Sequence, residues 1–526
     1  MTERSERGGS HRDDRGGRGY RGGSGGGDRG YRGGSGGDRG GGGRGGDRGY
    51  RGGDRGYRDG ERGRSRRVYD DEPRDGLLAD LVGHLHALDG RSYAAYKAIV
   101  GRYRAPAGWF LHIDRVQADP YAPPTRIHVD VPTDLHGLEL LDEADLLADV
   151  DRRLAVGDFL TRELHAGFRG TALSIASPGQ EILQRSSIIV RPDEKKEGPG
   201  WVLEIRARLA LPAQGRSIQG HEASRIVGRD LVRELEEAMD LTGERGDRLV
   251  RHIAILEDHR ALTATVARNG WVSFLADGSV LPRRSGVSDE PLDGGVPLEA
   301  PNSLAATVEL PHAGTVRGTV VEAGVNVIVG GGYHGKSTLL SAIERGVYPH
   351  VPGDGRELVA TVSDAVKVRA ADGRAVTGVD LTPFISHLPA GRDTASFTTR
   401  NASGSTSQAA SIIEAVEAGA TTLLLDEDTS ATNLLIRDSR MRELVAAERE
   451  PITPLVDRIT ALFRRRGVST VMVMGGSGDY LDVADRVLLM DAYHLRDVTE
   501  QACRVVADQP RPLTGLEDFA EPRQRV

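Results

Sequence analysis

A glycine-rich segment between two apolar runs constrains the fold of this chain more than any other feature. It reads Gly330-Gly331-Gly332-Tyr333-His334-Gly335-Lys336-Ser337-Thr338 and fits the pattern G-x-x-x-x-G-K-[ST]. The apolar run Val325–Val329 before it is typical of a buried strand, and the run Leu339–Ile343 after it is typical of a helix. A glycine-rich turn between a strand and a helix is the context in which this pattern binds phosphate.

The residue types in this segment explain how it would hold a nucleotide. Its glycines let the backbone come close to phosphate oxygens, and its N–H groups and the following helix N-terminus favour an anion. Lys336 is expected to reach the β- and γ-phosphates, and Ser337 is expected to bind Mg²⁺ through its hydroxyl. We therefore predict that all nine positions of the segment contact a nucleoside triphosphate, with Lys336 also serving catalysis.

A second acidic motif supplies the carboxylates that such a site needs. Thr421–Leu425 is an apolar run that ends in Asp426, Glu427 and Asp428. At the carboxyl end of a strand, Asp426 is placed to hold Mg²⁺ and Glu427 to polarise the attacking water. A purely structural role for three consecutive acids is disfavoured, because charges at the end of a buried strand require a cation.

Between these motifs lies a serine- and glycine-rich loop, Asn401–Gln408, with a predicted helix over Ala409–Ala418. Ser403, Gly404 and Ser405 precede this helix and form a candidate anion site by the same dipole argument. A phosphate loop, then a Ser-Gly loop with a helix, then an acidic strand end is the order found in ABC-type ATPases. In those proteins the Ser-Gly loop of one subunit closes on the nucleotide held by the other.

The last predicted strand of the site, Ser469–Met474, runs into Gly475–Tyr480. ABC-type ATPases usually carry a switch histidine here, and this chain has none, so Ser477 or Asp479 is expected to face the γ-phosphate. Ser477 thus joins Glu427 and Lys336 as a candidate catalytic residue, and His334 is a further candidate to replace the histidine. The usual glutamine between the two loops is also missing, and residues 384–393 occupy that region.

The composition of the chain changes sharply near residue 67. Residues 1–67 are mostly Gly, Arg, Asp and Ser, and their 18 Arg against 10 acidic residues contrast with a whole-chain net charge of −8. Burial cannot offset chain entropy in such a segment, so we expect it to be disordered. Repeats such as Gly19–Ser24 and Gly30–Ser35 resemble RGG tails that bind RNA by charge and stacking. A solubilising tail without a defined ligand is the alternative.

Other features of composition point to the compartment. The 526 residues contain one cysteine, Cys503, so a disulfide framework within one chain is excluded. We find neither a long apolar run nor an apolar N-terminal signal region, so no membrane span and a cytoplasmic location are expected.

Helix and strand patterns alternate between the tail and the phosphate loop, which predicts an α+β region. The predicted helices and strands are Leu77–Leu85, Ala94–Val100, Trp109–Asp114, Arg126–Val131, Ser187–Val190, Trp201–Leu209, Gly220–Leu241, Leu249–Ala267 and Val272–Ser279. His112 and His128 alternate within two of these strands. Ordinary surface or core positions are favoured for both histidines over metal ligation.

Several of these motifs together resemble the "predicted ATPase of the ABC class" family, over roughly residues 75–500. The matching segments are Asp89-Gly90, Tyr93, Tyr96-Lys97, Gln117–Pro120, Leu281–Arg283, Gly330–Leu340, His350–Glu357, Ala402–Gln408, Asp426–Asn433 and Gly475–Tyr480. The resemblance implies a non-transporter ATPase that binds ATP and Mg²⁺ and forms a two-fold homodimer, and some members are linked to RNA. In this family the missing switch histidine is a shared trait, and Asn433 stands where transporter ATPases have aspartate.

The expected fold class is α/β, with an ABC-type P-loop ATPase core. The domains would be a disordered tail (1–67), a family-specific α+β domain (68–300), the ATPase domain (301–505) and a C-terminal tail (506–526). The leading hypothesis is an ATP-hydrolysing dimeric switch that contacts RNA through residues 1–67 and the α+β domain. The alternatives are an ATP-sensing assembly module with little hydrolysis and the ATPase subunit of a transporter.

Overall fold

The structure of the protein is a computed structural model. It describes residues 74–508, except for 195, 197–199, 387, 389–392, 438–443 and 446–449, and it also describes residue 519. The Gly/Arg-rich tail and its predicted disorder lie outside the described residues. So does most of the predicted C-terminal tail, together with part of the 384–393 segment.

The first part of the described chain is built on a largely antiparallel sheet. Its strands are β1 (Arg74–Leu77), β2 (Gly101–Arg104), β3 (Phe110–Arg115), β4 (Thr125–Pro132), β5 (Leu173–Ser174), β6 (Ile188–Pro192) and β7 (Trp201–Leu209). They run in the order β1-β2-β3-β4-β7-β5, and β6 also pairs with β7. The β1–β2 pair is parallel, and the other pairs are antiparallel.

Alternation along these strands separates a buried face from an exposed one. In β4, Ile127, Val129 and Val131 are buried, whereas Arg126 is exposed and His128 is half-buried. Helices and a short hairpin complete this part: α1 (Leu78–Ala87), a 3-10 helix (Tyr93–Ile99), α2 (Glu139–Glu143), α3 (Val150–Gly167), β8 (Ala213–Gln214), β9 (Ser217–Ile218), α4 (Gly220–Arg225), a π-helical turn (Ile226–Asp230) and α5 (Leu231–Met239). Their apolar sides join the buried sheet face in one hydrophobic core.

The long helix α6 (Glu244–Arg268) packs against a second, antiparallel sheet. This sheet contains β10 (Trp271–Ala276), β13 (Ala305–Leu310), β14 (Gly314–Glu322) and β16 (Val359–Thr361), and β11 (Arg283–Ser285) with β12 (Ser288–Pro291) forms a separate hairpin. The strand order is β13-β14-β10-β16. β10, β13 and β14 precede the phosphate-loop strand Val325–Val329 in the chain and β16 follows it, yet all four belong to one sheet.

The third sheet carries the sequence motifs. Its strands, in spatial order, are β17 (Ala365–Lys367), β20 (Thr422–Asp426), β21 (Ser469–Val473), β15 (Val325–Val329), β22 (Arg486–Asp491) and β23 (His494–Asp497), and a hairpin of β18 (Val376–Val379) and β19 (Phe397–Thr399) lies apart. All neighbours are parallel except β22 and β23. β20 and β21 are buried throughout, as expected for parallel strands covered on both faces.

The helices of this last part are α7 (Lys336–Arg345), α8 (Gly404–Glu417), α9 (Thr432–Leu435), α10 (Ile459–Arg466) and α11 (Thr499–Asp508). The mixed α/β prediction is confirmed, and β15 has the predicted bounds. The predicted start of α8 was wrong by five residues: the helix begins at Gly404, because small and hydroxyl residues are favourable in a first turn even where apolar periodicity has not begun. No helix in the described ranges is long and apolar enough to cross a membrane.

Candidate nucleotide site

Three of the sequence motifs meet at one edge of the parallel sheet. β15, β21 and β20 are adjacent and parallel, and the glycine-rich loop, Gly475 and Glu427 follow their respective carboxyl ends. Because the carboxyl ends of parallel strands lie at the same edge of a sheet, segments far apart in sequence converge there.

The glycine-rich loop has the backbone geometry of an anion cradle. Gly330 has φ of 142°, and a Cβ there would lie 2.3 Å from the carbonyl oxygen of Met490, so only glycine fits. Gly335 has φ of 97° and immediately precedes α7. The first turn of α7 has no side-chain cap and no acidic residue, which leaves its N–H groups available to a phosphate.

Lys336 folds back over the loop. Its Nζ donates to the carbonyl oxygens of Gly330 and Gly331, each at 2.8 Å. Within the described residues its ammonium group forms no ion pair. A cation held only by neutral carbonyls at the mouth of a phosphate cradle is suited to exchange one of them for a phosphate oxygen.

The two adjacent residues Tyr333 and His334 have different environments. Tyr333 is 98% exposed and adopts a positive φ of 62°, which a bulky residue rarely does. His334 Nδ1 accepts a hydrogen bond from the N–H of Ala492 at 3.1 Å and lies 3.6 Å from Asp491. The histidine thus attaches the loop to the turn between β22 and β23, and its substitution for the switch histidine stays a prediction.

Asp426 closes β20 as a buried carboxylate, 6% exposed. It accepts one long hydrogen bond, from the N–H of Asp428 at 3.3 Å, and makes no ion pair in the described part of the chain. A buried carboxylate without a cation is costly, so this environment fits a divalent metal ion. Ser337, in the first turn of α7, is the hydroxyl ligand that the sequence predicts for the same ion.

Glu427 is held by the loop after β21. Its Oε2 accepts from the N–H groups of Gly475 and Gly476, at 2.5 and 2.9 Å. A Cβ at Gly475 would lie 3.9 Å from Lys336 Nζ, which places all three motifs together. The sequence analysis placed these two glycines beside the site but gave them no role, because their backbone N–H groups contribute here rather than side chains. Paired glycines directly after a buried strand are the signal that would have found them.

Ser477 lies in the same loop and accepts from the N–H of Asp479 at 3.2 Å. Its contact with the γ-phosphate stays a prediction.

The Ser-Gly loop forms a second helix start with free N–H groups. Ser403 is the N-cap residue of α8 but makes no side-chain cap, and the first turn has no acidic residue. Ser403 Oγ pairs with Thr406, and Ser405 Oγ donates to Asn433 Oδ1 at 2.5 Å. One contact stays within the Ser-Gly loop and the other reaches α9, and among the described residues no hydrogen bond joins Ser403, Gly404 or Ser405 to the Gly330–Thr338 cradle.

Comparisons with known proteins match both halves of the described chain. Residues 245–522 match the P-loop domain of the ABC ATPase family, and residues 78–241 match the family described as ATPase of the ABC class, N-terminal. An uncharacterized protein of Methanocaldococcus jannaschii is 29% identical over 213 residues, which are 37% of this chain and 46% of that protein. The chain thus aligns with about half the length of that relative.

Solved structures give weaker likenesses. CbiO1 of Clostridium perfringens, part of an ABC transporter complex, has 12% identity and a TM-score of 0.26, covering 46% of this chain and 96% of its own. A putative metal-chelate type ABC transporter in an inward-facing conformation has 13% identity and a TM-score of 0.26, with coverages of 43% and 82%. Scores this low carry no argument about function.

Proposed function

Because this chain belongs to the ATPases of the ABC class, we propose that it binds and hydrolyses Mg²⁺-ATP and acts as a nucleotide-dependent homodimeric switch. The observation that carries the proposal is the meeting of Lys336, Glu427 and Gly475 at the carboxyl ends of three adjacent strands. Phosphoryl transfer uses a cation that binds phosphate and a residue that positions the water, and here two backbone N–H groups also hold that carboxylate.

Each residue then has a defined task. Lys336 and the N–H groups of the loop bind the β- and γ-phosphates. Ser337 and Asp426 would hold Mg²⁺, which would supply positive charge beside the phosphate oxygens. Glu427 orients the water that attacks the γ-phosphorus while the bond to the bridging oxygen breaks. Gly475 and Gly476 keep that carboxylate in place through their N–H groups.

The homodimer part of the proposal rests on the second helix start. Ser403, Gly404 and Ser405 present free N–H groups at the start of α8, yet their own contacts are to Thr406 and Asn433. A second copy would bring this helix start to the γ-phosphate of its neighbour, so that ATP joins two subunits. ATP then favours the joined state by differential affinity, and hydrolysis releases it.

Release of inorganic phosphate by the full-length protein tests the enzymatic part. Replacing Glu427 by Gln is expected to lower turnover at least about hundredfold while ATP still binds, because the water loses its acceptor. Glu299→Gln, at an exposed carboxylate outside the site, is the matched control and should retain wild-type turnover. Equal turnover in both variants would overturn the assignment of Glu427.

A second candidate function, ATP sensing with little hydrolysis, is favoured by one observation. Glu427 Oε2 is fully engaged by two backbone N–H groups, so only Oε1 remains for a water. A wild-type protein that binds ATP and dimerises but releases no phosphate would support this alternative.

RNA association is the remaining part of the proposal, and the composition of residues 1–67 supports it. We also propose a cytoplasmic location for this protein. Deleting residues 1–67 should reduce retention of single-stranded RNA and flatten its dependence on salt, because phosphate contacts are lost. Unchanged retention would remove this role from the tail.

A further inference from the structure

The exposed face of the N-terminal sheet carries three arginines in a row on neighbouring strands. Arg126 of β4 lies opposite Arg208 of β7 on one side and opposite Arg115 of β3 on the other. All three are exposed, and within the described residues none of them forms an ion pair. Like charges directly opposite each other destabilise a sheet, so this row is costly unless an anion compensates it.

A cavity opens beside this row. Arg126, Arg206, Arg208 and Ser174 line a surface cavity of about 500 Å³, which we call the arginine pocket. Ser174 of β5 is in register with Arg208, so four neighbouring side chains come from three adjacent strands. A volume of this size accommodates a ligand as large as one nucleotide. His128 also lines this cavity.

The nearby carboxylates do not neutralise the row. Glu204 accepts from Arg206 at 2.7 Å and from Arg191 at 2.9 Å, so it is shared by two other guanidinium groups. Asp114, which also lines the cavity, accepts from His128 Nδ1 at 2.8 Å. Arg115 does not line the cavity, but Arg126 and Arg208 alone exceed the single negative charge of Asp114, so positive charge is in excess.

A metal ion is a poor fit for this face, although His112, His128 and Asp130 lie close enough to share one. The two imidazole rings stack at 4.1 Å between centroids with 9° between their planes, so their nitrogen lone pairs run side by side rather than converge. Asp130 is already paired with Arg191 at 2.9 Å. Uncompensated arginines nearby further disfavour a cation.

We propose that the arginine pocket binds the phosphate group of a nucleotide-sized phosphate ester. Guanidinium groups on two adjacent strands present paired donors that match phosphate oxygens, which an ammonium group does less well. A free mononucleotide and one nucleotide of a single-stranded RNA share this chemistry. The pocket belongs to a different sheet from the ATP site, so the proposal does not depend on hydrolysis.

Fluorescence anisotropy with a labelled, 5′-phosphorylated tetrauridylate tests the pocket. The full-length protein carries Lys336→Ala and no nucleotide is added, because this change weakens phosphate binding at the ATP site, whereas ADP would compete with the probe for the pocket. Arg126→Ser combined with Arg208→Ser is expected to weaken binding at least about tenfold, because two charge-assisted contacts are lost. The control removes two exposed arginines elsewhere, Arg169→Ser with Arg229→Ser, and should weaken binding less than about twofold.

Competition identifies the source of the phosphate. Displacement of the probe by uridine monophosphate at similar concentrations supports a free nucleotide, whereas displacement only by the unlabelled oligonucleotide supports RNA. Equal weakening in the two double variants, or no binding of the probe by the wild type, would overturn the proposal.

Thermal unfolding without ligand gives an independent check on the same variants. Removing Arg126 and Arg208 should leave the melting temperature unchanged or raise it, because a like-charge contact is relieved. A lower melting temperature would assign the arginines to structure and overturn the proposal.

Discussion

The ATP site and the proposed arginine pocket bind phosphate with different parts of the chain. The cradle at Gly330–Thr338 uses backbone N–H groups, the start of α7 and Lys336, and these come from one continuous segment. The arginine pocket uses side chains of β4 and β7, which are about eighty positions apart in sequence and adjacent only in the sheet. A contiguous motif can be recognised in a sequence. A surface assembled from separate strands can be recognised only when the pairing register of those strands is known.

The difference also predicts different behaviour. Backbone donors fixed by glycine geometry lose little conformational freedom when an anion binds, and in the proposed function Asp426 adds a ligand for Mg²⁺. Exposed guanidinium groups are mobile and strongly screened by salt. The first region is therefore suited to chemistry and the second to reversible binding.

The largest loss of turnover that tests this comparison is expected for Gly476, whose backbone N–H holds Glu427. A Cβ at Gly476 would lie 3.1 Å from Glu427 Oε1, so Gly476→Ala should displace the carboxylate. We expect turnover to fall about tenfold with unchanged ATP affinity, because positioning rather than binding is lost. Steady-state turnover and nucleotide binding measured together give the answer.

Gly478→Ala is the matched control in the same loop, because the nearest atom to its Cβ would be 3.9 Å away. Equal losses in the two alanine variants would show that loop flexibility, and not the position of Glu427, limits turnover.

A smaller expected effect is a pH dependence of folding stability that arises at the C-terminal end of α7. His259 of α6 is fully buried and donates to the carbonyl oxygen of Gly346, directly after α7, and burial lowers its pKa to about 4. Below pH 6.5 the unfolded chain binds a proton that the folded chain does not, so stability falls from there toward pH 4 and is unaffected above. Between pH 7 and pH 5 this histidine should account for about 1 to 2 kcal/mol.

Denaturant unfolding of His259→Gln at these two pH values checks the effect, with the exposed His494→Gln as control. The glutamine keeps an N–H donor for Gly346 and cannot titrate, so the variant should lose less stability on acidification than the control does. His252 is also buried, with its pKa lowered to about 3, and remains in both variants. An identical pH dependence in the two variants would contradict the assignment to His259.

Much of the ATP site was predictable because its parts are local. A buried strand, a glycine turn and a helix follow each other directly at Val325–Ile343, and β15 has the predicted bounds. The start of α8 was missed because apolar periodicity begins only after its first turn. The clamp by Gly475 and Gly476 was missed because it consists of backbone N–H groups.

The arginine row was not predictable for a different reason. Arg115, Arg126 and Arg208 belong to three strands, and each strand alone shows only an ordinary exposed charge. A shift of one residue in the register of β4 would turn Arg126 toward the core, so the row exists only once all pairings are fixed.

The central claim is that ATP joins two copies of this chain, and the mass of Glu427→Gln in solution tests it most directly. Size-exclusion chromatography with light scattering is run on the full-length variant with and without Mg²⁺-ATP, beside Glu299→Gln. We predict twice the 56.5 kDa of the single chain with ATP and the single-chain mass without it, because the trapped nucleotide keeps both subunits joined. The same mass under both conditions would contradict a nucleotide-dependent dimer.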